Sequence, residues 1–194
     1  MKDSLVPTVN GFAQNQCLVA MPGLEGSWFE KTVIYLVEHN NDGAFGLVIN
    51  KAIDISVDEV LMQLSEGYDQ ALHPEPIYIG GPVENQRGFV MHRPATTNAW
   101  EQQLNLNPDL AITTSADILQ AMAHGEDVGE YQVVLGYSGW AAGQLEQEMA
   151  DNSWINVDIP VTRLLALPSE ERLQAALDAL GIQYSQLGND AGHA

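Results

Sequence analysis

The sequence predicts an α+β domain built around a mixed β-sheet. Three observations carry that expectation: strand-like and helix-like segments interleave along the 194 residues, one strand pair is joined by a hairpin signal, and no internal repeat, low-complexity tract or Pro/Ser-rich linker marks a domain boundary. A chain of this length buries roughly 70% of its unfolded surface without disulfides or metals. A single domain over residues 1–194 follows, with flexible ends expected near 1–12 and 186–194.

The elements follow in order. Gln16 to Ala20 reads as a strand. Thr32 to His39 (TVIYLVEH) is rich in β-branched and aromatic residues, and the turn-forming NNDG separates it from AFGLVIN, which predicts a hairpin. Both runs are apolar almost throughout, so they are expected to be covered on both faces. Ser56-Val57-Asp58-Glu59 fits a capping box, and Val57, Val60, Leu61 and Leu64 then follow at helical spacing toward a stop near Gly67. Pro76 to Pro82 (PIYIGGP) is a brief buried strand broken by two glycines and a proline. Arg87 to Arg93 (RGFVMHR) alternates, with Arg87, Phe89, Met91 and Arg93 on one face and Gly88, Val90 and His92 on the other, until Pro94 stops it. Leu110 to Thr114 is a short strand, and Ser115 is expected to cap a helix from Ala116 to about His124. Gln132 to Leu135 is another strand. A helix from Gly143 to Asn152 carries the stripe Leu145 and Met149, and Trp154 to Val157 returns to the sheet. Ser169 is expected to cap EERLQAALDALG, with Leu173, Ala176, Leu177 and Leu180 on one face and a stop at Gly181; LGNDAGHA reads as a tail.

Charge restricts the partners. Twenty-six Asp and Glu against seven Lys and Arg give a formal net charge of −19. DNA affinity rests on cations neutralising phosphates. The seven here, Lys2, Lys31, Lys51, Arg87, Arg93, Arg163 and Arg172, are scattered along the chain. Direct nucleic-acid contact is therefore not expected, and anionic membrane surfaces are disfavoured for the same reason. Neither a signal-peptide block nor an apolar run of roughly 18 residues occurs, so a cytoplasmic protein without a membrane span is expected. Cys17 is the only cysteine, which suits a reducing compartment; its setting reads as a buried strand, not a reactive thiol.

The stretch LGYSGWAAGQLEQEM (Leu135 to Met149) raises the sharpest chemical question, because it looks like a strand, a glycine turn carrying a serine, and a helix. The nucleophile-elbow pattern is G-x-S-x-G. Here Gly136-Tyr137-Ser138-Gly139-Trp140 brings the second glycine one residue early, and the only later histidine is His193. The expected reading is a packing corner: Gly136, Gly139 and Gly143 let backbone segments approach closely, while Tyr137 and Trp140 supply apolar area.

Other constellations are incomplete. No P-loop or dinucleotide-loop spelling occurs, and metal-ligand spacing of the H-E-x-x-H kind is absent, so neither a cofactor nor a metal is expected. Glu148 and Asp151, three apart on a helix, are expected on a solvated face. Arg87 and Arg93 project to the same side of a strand in a chain short of cations; pairing with carboxylates is the favoured reading, and an anionic ligand or acidic partner the alternative.

LVAMPGL (Leu18 to Leu24), TVIYLVEHNNDGAFGLVINK (Thr32 to Lys51), GGPV with RGFVMH (Gly80 to His92), and LGYSGWAAGQLEQEMADNSW (Leu135 to Trp154) together closely resemble the bacterial YqgE/AlgH family. The motifs occur in order across nearly the whole chain. Gly26-Ser27 stands where the family often has Asp-Pro, and Trp28 is bulkier than usual. The resemblance implies an α+β fold in which a bifurcated sheet with a small closed β-barrel is surrounded by helices, and it implies a cytosolic protein. It brings no reaction and no catalytic residue; the family's transcriptional-regulator label derives from an effect on alginate synthesis. Arg87, His92, Tyr137, Ser138, Trp140 and Glu146 fall within the matched motifs and form the candidate ligand or partner surface. The expected function is binding of a protein partner or small ligand by a monomer or weak homodimer, with any effect on transcription indirect. The alternative is a hydrolase or transferase with a pocket near Tyr137 to Trp140.

Overall fold

Strand β1 (Cys17–Ala20) is buried at every position, which is the mark of a central strand covered on both faces. It belongs to a computed structural model that describes residues 13–68, 71–94 and 100–187. The ends expected to be flexible lie outside the described residues, apart from residues 186 and 187, which fall in a short terminal helix.

The hairpin forms as expected from β2 (Val33–Asn40) and β3 (Gly43–Val48), with Asn40 opposite Gly43 and the Asp42 amide donating to Asn40 Oδ1 at 2.8 Å. Strand β4 (Ala52–Ser56) runs into α1 (Val57–Leu64). The capping box is complete there: Ser56 Oγ accepts the Glu59 amide at 3.3 Å, and the Ser56 amide donates to Glu59 Oε2 at 2.7 Å. Next come β5 (Pro76–Ile79), β6 (Val83–His92), β7 (Gln103–Asn107), β8 (Leu110–Thr113) and α2 (Asp117–Ala123). The chain ends in β9 (Tyr131–Ala141), α3 (Gln144–Ala150), β10 (Trp154–Val157), α4 (Val161–Leu165), α5 (Ser169–Asp178) and α6 (Tyr184–Leu187). Strands β4 and β7 and helices α4 and α6 have no counterpart in the sequence reading.

The sheet branches at β9. Its C-terminal half pairs with β3 through Ser138 to Ala141, while its N-terminal half pairs with β5 in parallel and with β6 antiparallel. A mixed, bifurcated sheet results. Its path runs β10-β1-β2-β3-β9-β6-β8-β7 and curls into a half-barrel. The expected closed barrel is not formed, because among the described residues β10 and β7 end the path without pairing to each other. Helices α4 and α5 pack over one face, where Leu164, Ala176 and Leu177 join Tyr35, Met91 and Val134 in one apolar cluster. Two further clusters gather around Trp140 and Trp154 and around α1 and α2.

Three local expectations fail for identifiable reasons. Ser115 does not cap α2; its hydroxyl donates to Asp117 Oδ1 at 2.5 Å, and the Asp117 carboxylate takes the Ile118 and Glu101 amides instead. Ser169 lies inside α5, behind Pro168 at the N-cap. Leu180 is beyond the end of α5 and 37% exposed, whereas Arg172 occupies the buried face.

Candidate functional site

The glycines of β9 and the loop before β6 settle what the Gly136-to-Trp140 stretch does. Strand β9 passes straight through Ser138 to Ala141, so no strand-to-helix turn presents the serine. Ser138 is fully buried, and its hydroxyl donates to the Gly80 carbonyl at 3.1 Å. Close backbone approach is real but narrower than expected. A Cβ on Gly81 would stand 2.0 Å from the Tyr137 carbonyl carbon, and one on Gly136, at φ +70°, 2.7 Å from the Gly81 oxygen. Gly139 and Gly143 meet no backbone in this way.

The six residues singled out by sequence do not converge. Arg87 is exposed, pairs with Glu84 at 3.2 Å and lies 5.4 Å from the Phe89 ring centre. Tyr137 packs edge-on against Phe45 at 5.1 Å in the same neighbourhood. Trp140 is buried; its indole N–H and that of Trp154 both donate to Glu148 Oε2 at 2.8 Å. Glu148 thus leaves the solvated face expected for it and joins two indoles. Glu146 lies 3.0 Å from Nε2 of the buried His39, whose Nδ1 accepts the Ala13 amide. Only His92 lines the larger of the two clefts described below.

That cleft, of about 510 Å³, opens where β5, β6 and β9 face α4 and α5. Its floor is organised by Arg172, which sequence reading left among the scattered cations. Arg172 is 4% exposed and all five of its N–H groups are used. Nε donates to the Leu167 carbonyl at 3.0 Å; Nη1 donates to the Ile49 carbonyl and, at 2.5 Å, to Gln132 Oε1; Nη2 donates to the Leu165 carbonyl at 3.2 Å and Tyr78 Oη at 3.3 Å. Every acceptor is formally neutral. The guanidinium also lies 4.9 Å from the Tyr78 ring centre. Burial draws its pKa below the usual arginine value while Tyr78 and the Glu170 charge oppose the shift, and a guanidinium remains charged at any physiological pH.

Gln132 shares this floor. It faces Met91 across the β6–β9 ladder, is 6% exposed, and gives its oxygen to Arg172, so its Nε2 is fixed as the other end of the amide. That Nε2 is buried with no hydrogen-bond partner among the described residues. An unpaired buried donor is costly, which makes it the feature of the cleft most in need of an acceptor.

The walls are polar in two senses. His92 donates Nδ1–H to the Arg93 carbonyl at 2.8 Å, and its Nε2 lies 2.8 Å from Thr113 Oγ1; burial lowers its pKa, so it is neutral with the proton on Nδ1. Tyr131 donates to Glu75 Oε2 at 2.6 Å, and burial together with that carboxylate raises its pKa. Exposed Arg93, Glu75, Asp109 and Glu130 stand at the rim. A second, more open cleft of about 410 Å³ lies beside Trp28 and Lys51; there the Lys51 ammonium donates to the Trp28 carbonyl and sits 4.2 Å from its ring centre.

Among the described residues no cluster of three His, Cys, Asp or Glu side chains could hold a metal, and no helix is long and apolar enough to cross a membrane. Burial pushes the Cys17 thiol up to about 12, which makes it an unreactive core residue. One clue to the cleft was present in the sequence: Arg172 stands one turn before Ala176 on an otherwise apolar helix face, a place for a cation only if the fold supplies buried acceptors. Gln132, among the valines of β9, is the matching polar residue.

Comparison with known proteins agrees with the architecture. Residues 17–185 match the family described as DUF179, AlgH-like. A UPF0301 protein of Nitrosomonas eutropha is 48% identical over 91% of this chain and 95% of its own length, and one of Vibrio parahaemolyticus is 43% identical over 93% and 98%. The solution structure of the AlgH protein from Pseudomonas aeruginosa superposes with a TM-score of 0.78 at 43% identity, covering all of both chains. A Corynebacterium diphtheriae protein shares the fold alone, with a TM-score of 0.65 at 23% identity. The four sequence motifs, the branched sheet and these matches together establish that the chain belongs to the YqgE/AlgH family.

Proposed function

We propose that this protein is a cytoplasmic binding protein that holds a small ligand in the Arg172 cleft and passes the effect to a protein partner. The observation that carries the reading is Gln132, which lines a cleft large enough for a metabolite and whose Nε2, closed off just beneath the cleft surface, has no acceptor among the described residues. Ser138 supports a non-catalytic role, since its hydroxyl is spent on the Gly80 carbonyl and, among the described residues, makes no hydrogen bond to an imidazole. The net charge of −19 supports the view that any influence on transcription travels through a ligand or partner and not through DNA contact. The free protein is a monomer or weak homodimer in this reading.

Native mass spectrometry of the protein isolated from its own host tests it. The expected spectrum shows a small-molecule adduct that is lost on mild activation. A bare chain, together with nanomolar sequence-specific binding in a DNA mobility-shift assay at physiological salt, would overturn the reading.

A further inference from the structure

The chemistry of the floor and the rim narrows the ligand. At the floor, among the described residues, Arg172 gives its hydrogen bonds to neutral acceptors, and the buried donor left unpaired beside it is Gln132 Nε2. A buried cation whose hydrogen-bond acceptors are all neutral, offset only through space by Glu170, stands next to an unfilled N–H and favours an acceptor that is itself negative. Arg93 at the rim adds a second cation. The rest of the rim opposes extra negative charge: Glu75, Asp109 and Glu130 outnumber the two arginines, so a phosphate dianion or a dicarboxylate meets net repulsion. Those same carboxylates are the natural counter-charge for an ammonium.

We propose that the cleft takes a zwitterion of the free amino acid class, its carboxylate accepting from Gln132 Nε2 beside Arg172 once a small swing of the Gln132 side chain uncovers that nitrogen, and its ammonium facing Glu75 and Glu130. The assignment rests on the ligand-binding reading above and adds the class of ligand to it. Side-chain room is left against Leu165 and Ala166, apolar lining residues that place no further polar demand on the ligand.

The test is a titration of isotope-labelled full-length protein with the free amino acids, each paired with its methyl ester and its N-acetyl derivative, and with inorganic phosphate as the anion control. The Gln132 side-chain amide resonances report the site. At least one free amino acid is expected to shift them saturably, and masking either end is expected to weaken binding ten-fold or more. Gln132→Glu keeps an acceptor for Arg172 but replaces the donor by a carboxylate, so it is expected to lose binding ten-fold or more without a lower melting temperature. Arg93→Gln, at an exposed position, provides a second variant and is expected to weaken binding several-fold.

Undiminished binding of the ester or the N-acetyl compound, a preference for phosphate, or unchanged binding by both variants would overturn the assignment. If the panel leaves the Gln132 resonances unmoved while a co-purified molecule of another class occupies the cleft, the amino acid class fails and the binding function stands. A cleft that takes up neither the panel nor any host molecule removes both.

Discussion

Arg172 Nη1 donates to Gln132 Oε1 at 2.5 Å, joining helix α5 to strand β9 across 40 residues of sequence. By claiming the oxygen, the guanidinium turns the amide nitrogen the other way and leaves it without a partner. The contact thus anchors a helix to the sheet and fixes which end of the Gln132 amide is left without an acceptor among the described residues.

Replacing Arg172 by Met strands five acceptors: the Ile49, Leu165 and Leu167 carbonyls, Gln132 Oε1 and Tyr78 Oη. A buried polar group left unpaired costs about 1–3 kcal/mol. Urea unfolding is expected to show a loss of roughly 4 kcal/mol or more, with an unchanged slope. Lys carries three donors on one nitrogen and cannot reach the same spread of acceptors, so Arg172→Lys is expected to recover less than half of that loss.

Glu148 Oε2 accepts from both the Trp140 and Trp154 indoles at 2.8 Å, while Oε1 accepts from Gln144 at 2.9 Å. Hydrogen bonds to a charged group are worth about 1.5–3 kcal/mol each when buried, less where water reaches them. Glu148→Ala is expected to cost roughly 2–3 kcal/mol and to alter tryptophan emission; Glu148→Gln, which keeps one carbonyl oxygen, is expected to cost about half as much. Equal stability of Glu148→Ala and wild type would contradict the shared-carboxylate arrangement.

Burial holds the pKa of His92 below its ordinary value of 6.5. As pH falls through that value, the unfolded chain binds a proton that the folded chain refuses. Stability therefore decreases on acidification from about 6.5 toward the lower folded-state value, and this contribution is constant above the unfolded value. Melting temperatures measured between pH 5 and 8 are expected to follow this course in the wild type and to lose that component in His92→Gln.

The glycine crossing allows a paired comparison. In Gly81→Ala the new Cβ would meet the Tyr137 backbone at 2.0 Å, where no side-chain rotation can relieve the overlap. In Gly139→Ala the nearest atom belongs to the Tyr137 ring at 3.3 Å, which can shift. Expression and thermal melting are expected to show a chain that fails to fold in the first case and a change below about 1 kcal/mol in the second.

Parts of the secondary structure were legible from local chemistry, though the Ser115 and Ser169 caps were not. Ser56 and Glu59 sit close enough in sequence to specify their own capping box, and NNDG specifies its own hairpin. The Ser138 segment was harder, because glycines that mark a turn also mark a strand crossing another backbone. What distinguishes the two is Gly80-Gly81, more than fifty residues upstream, and the pairing of Gly81 with Tyr137 is visible only once the sheet is assembled. The cleft was hidden for the same reason. Arg172 and Gln132 acquire meaning through carbonyls from β3's end and the α4–α5 turn, and nothing local in EERLQAAL names those acceptors. Of the motif-derived residues, Tyr137 and Trp140 pack against other rings while Arg87 and Glu146 pair with Glu84 and His39, and a motif records such contacts as readily as it records a site. Closure of the barrel depended on whether the terminal strands β10 and β7 meet, a global property that strand patterns do not fix.

The most direct test of the central claim is a high-resolution electron-density map of the cleft in protein purified from its host without extensive dialysis. Continuous density larger than water, with an acceptor atom within about 3 Å of Gln132 Nε2, is the predicted result. A chain of ordered waters filling the space, with Nε2 donating to one of them, would contradict it.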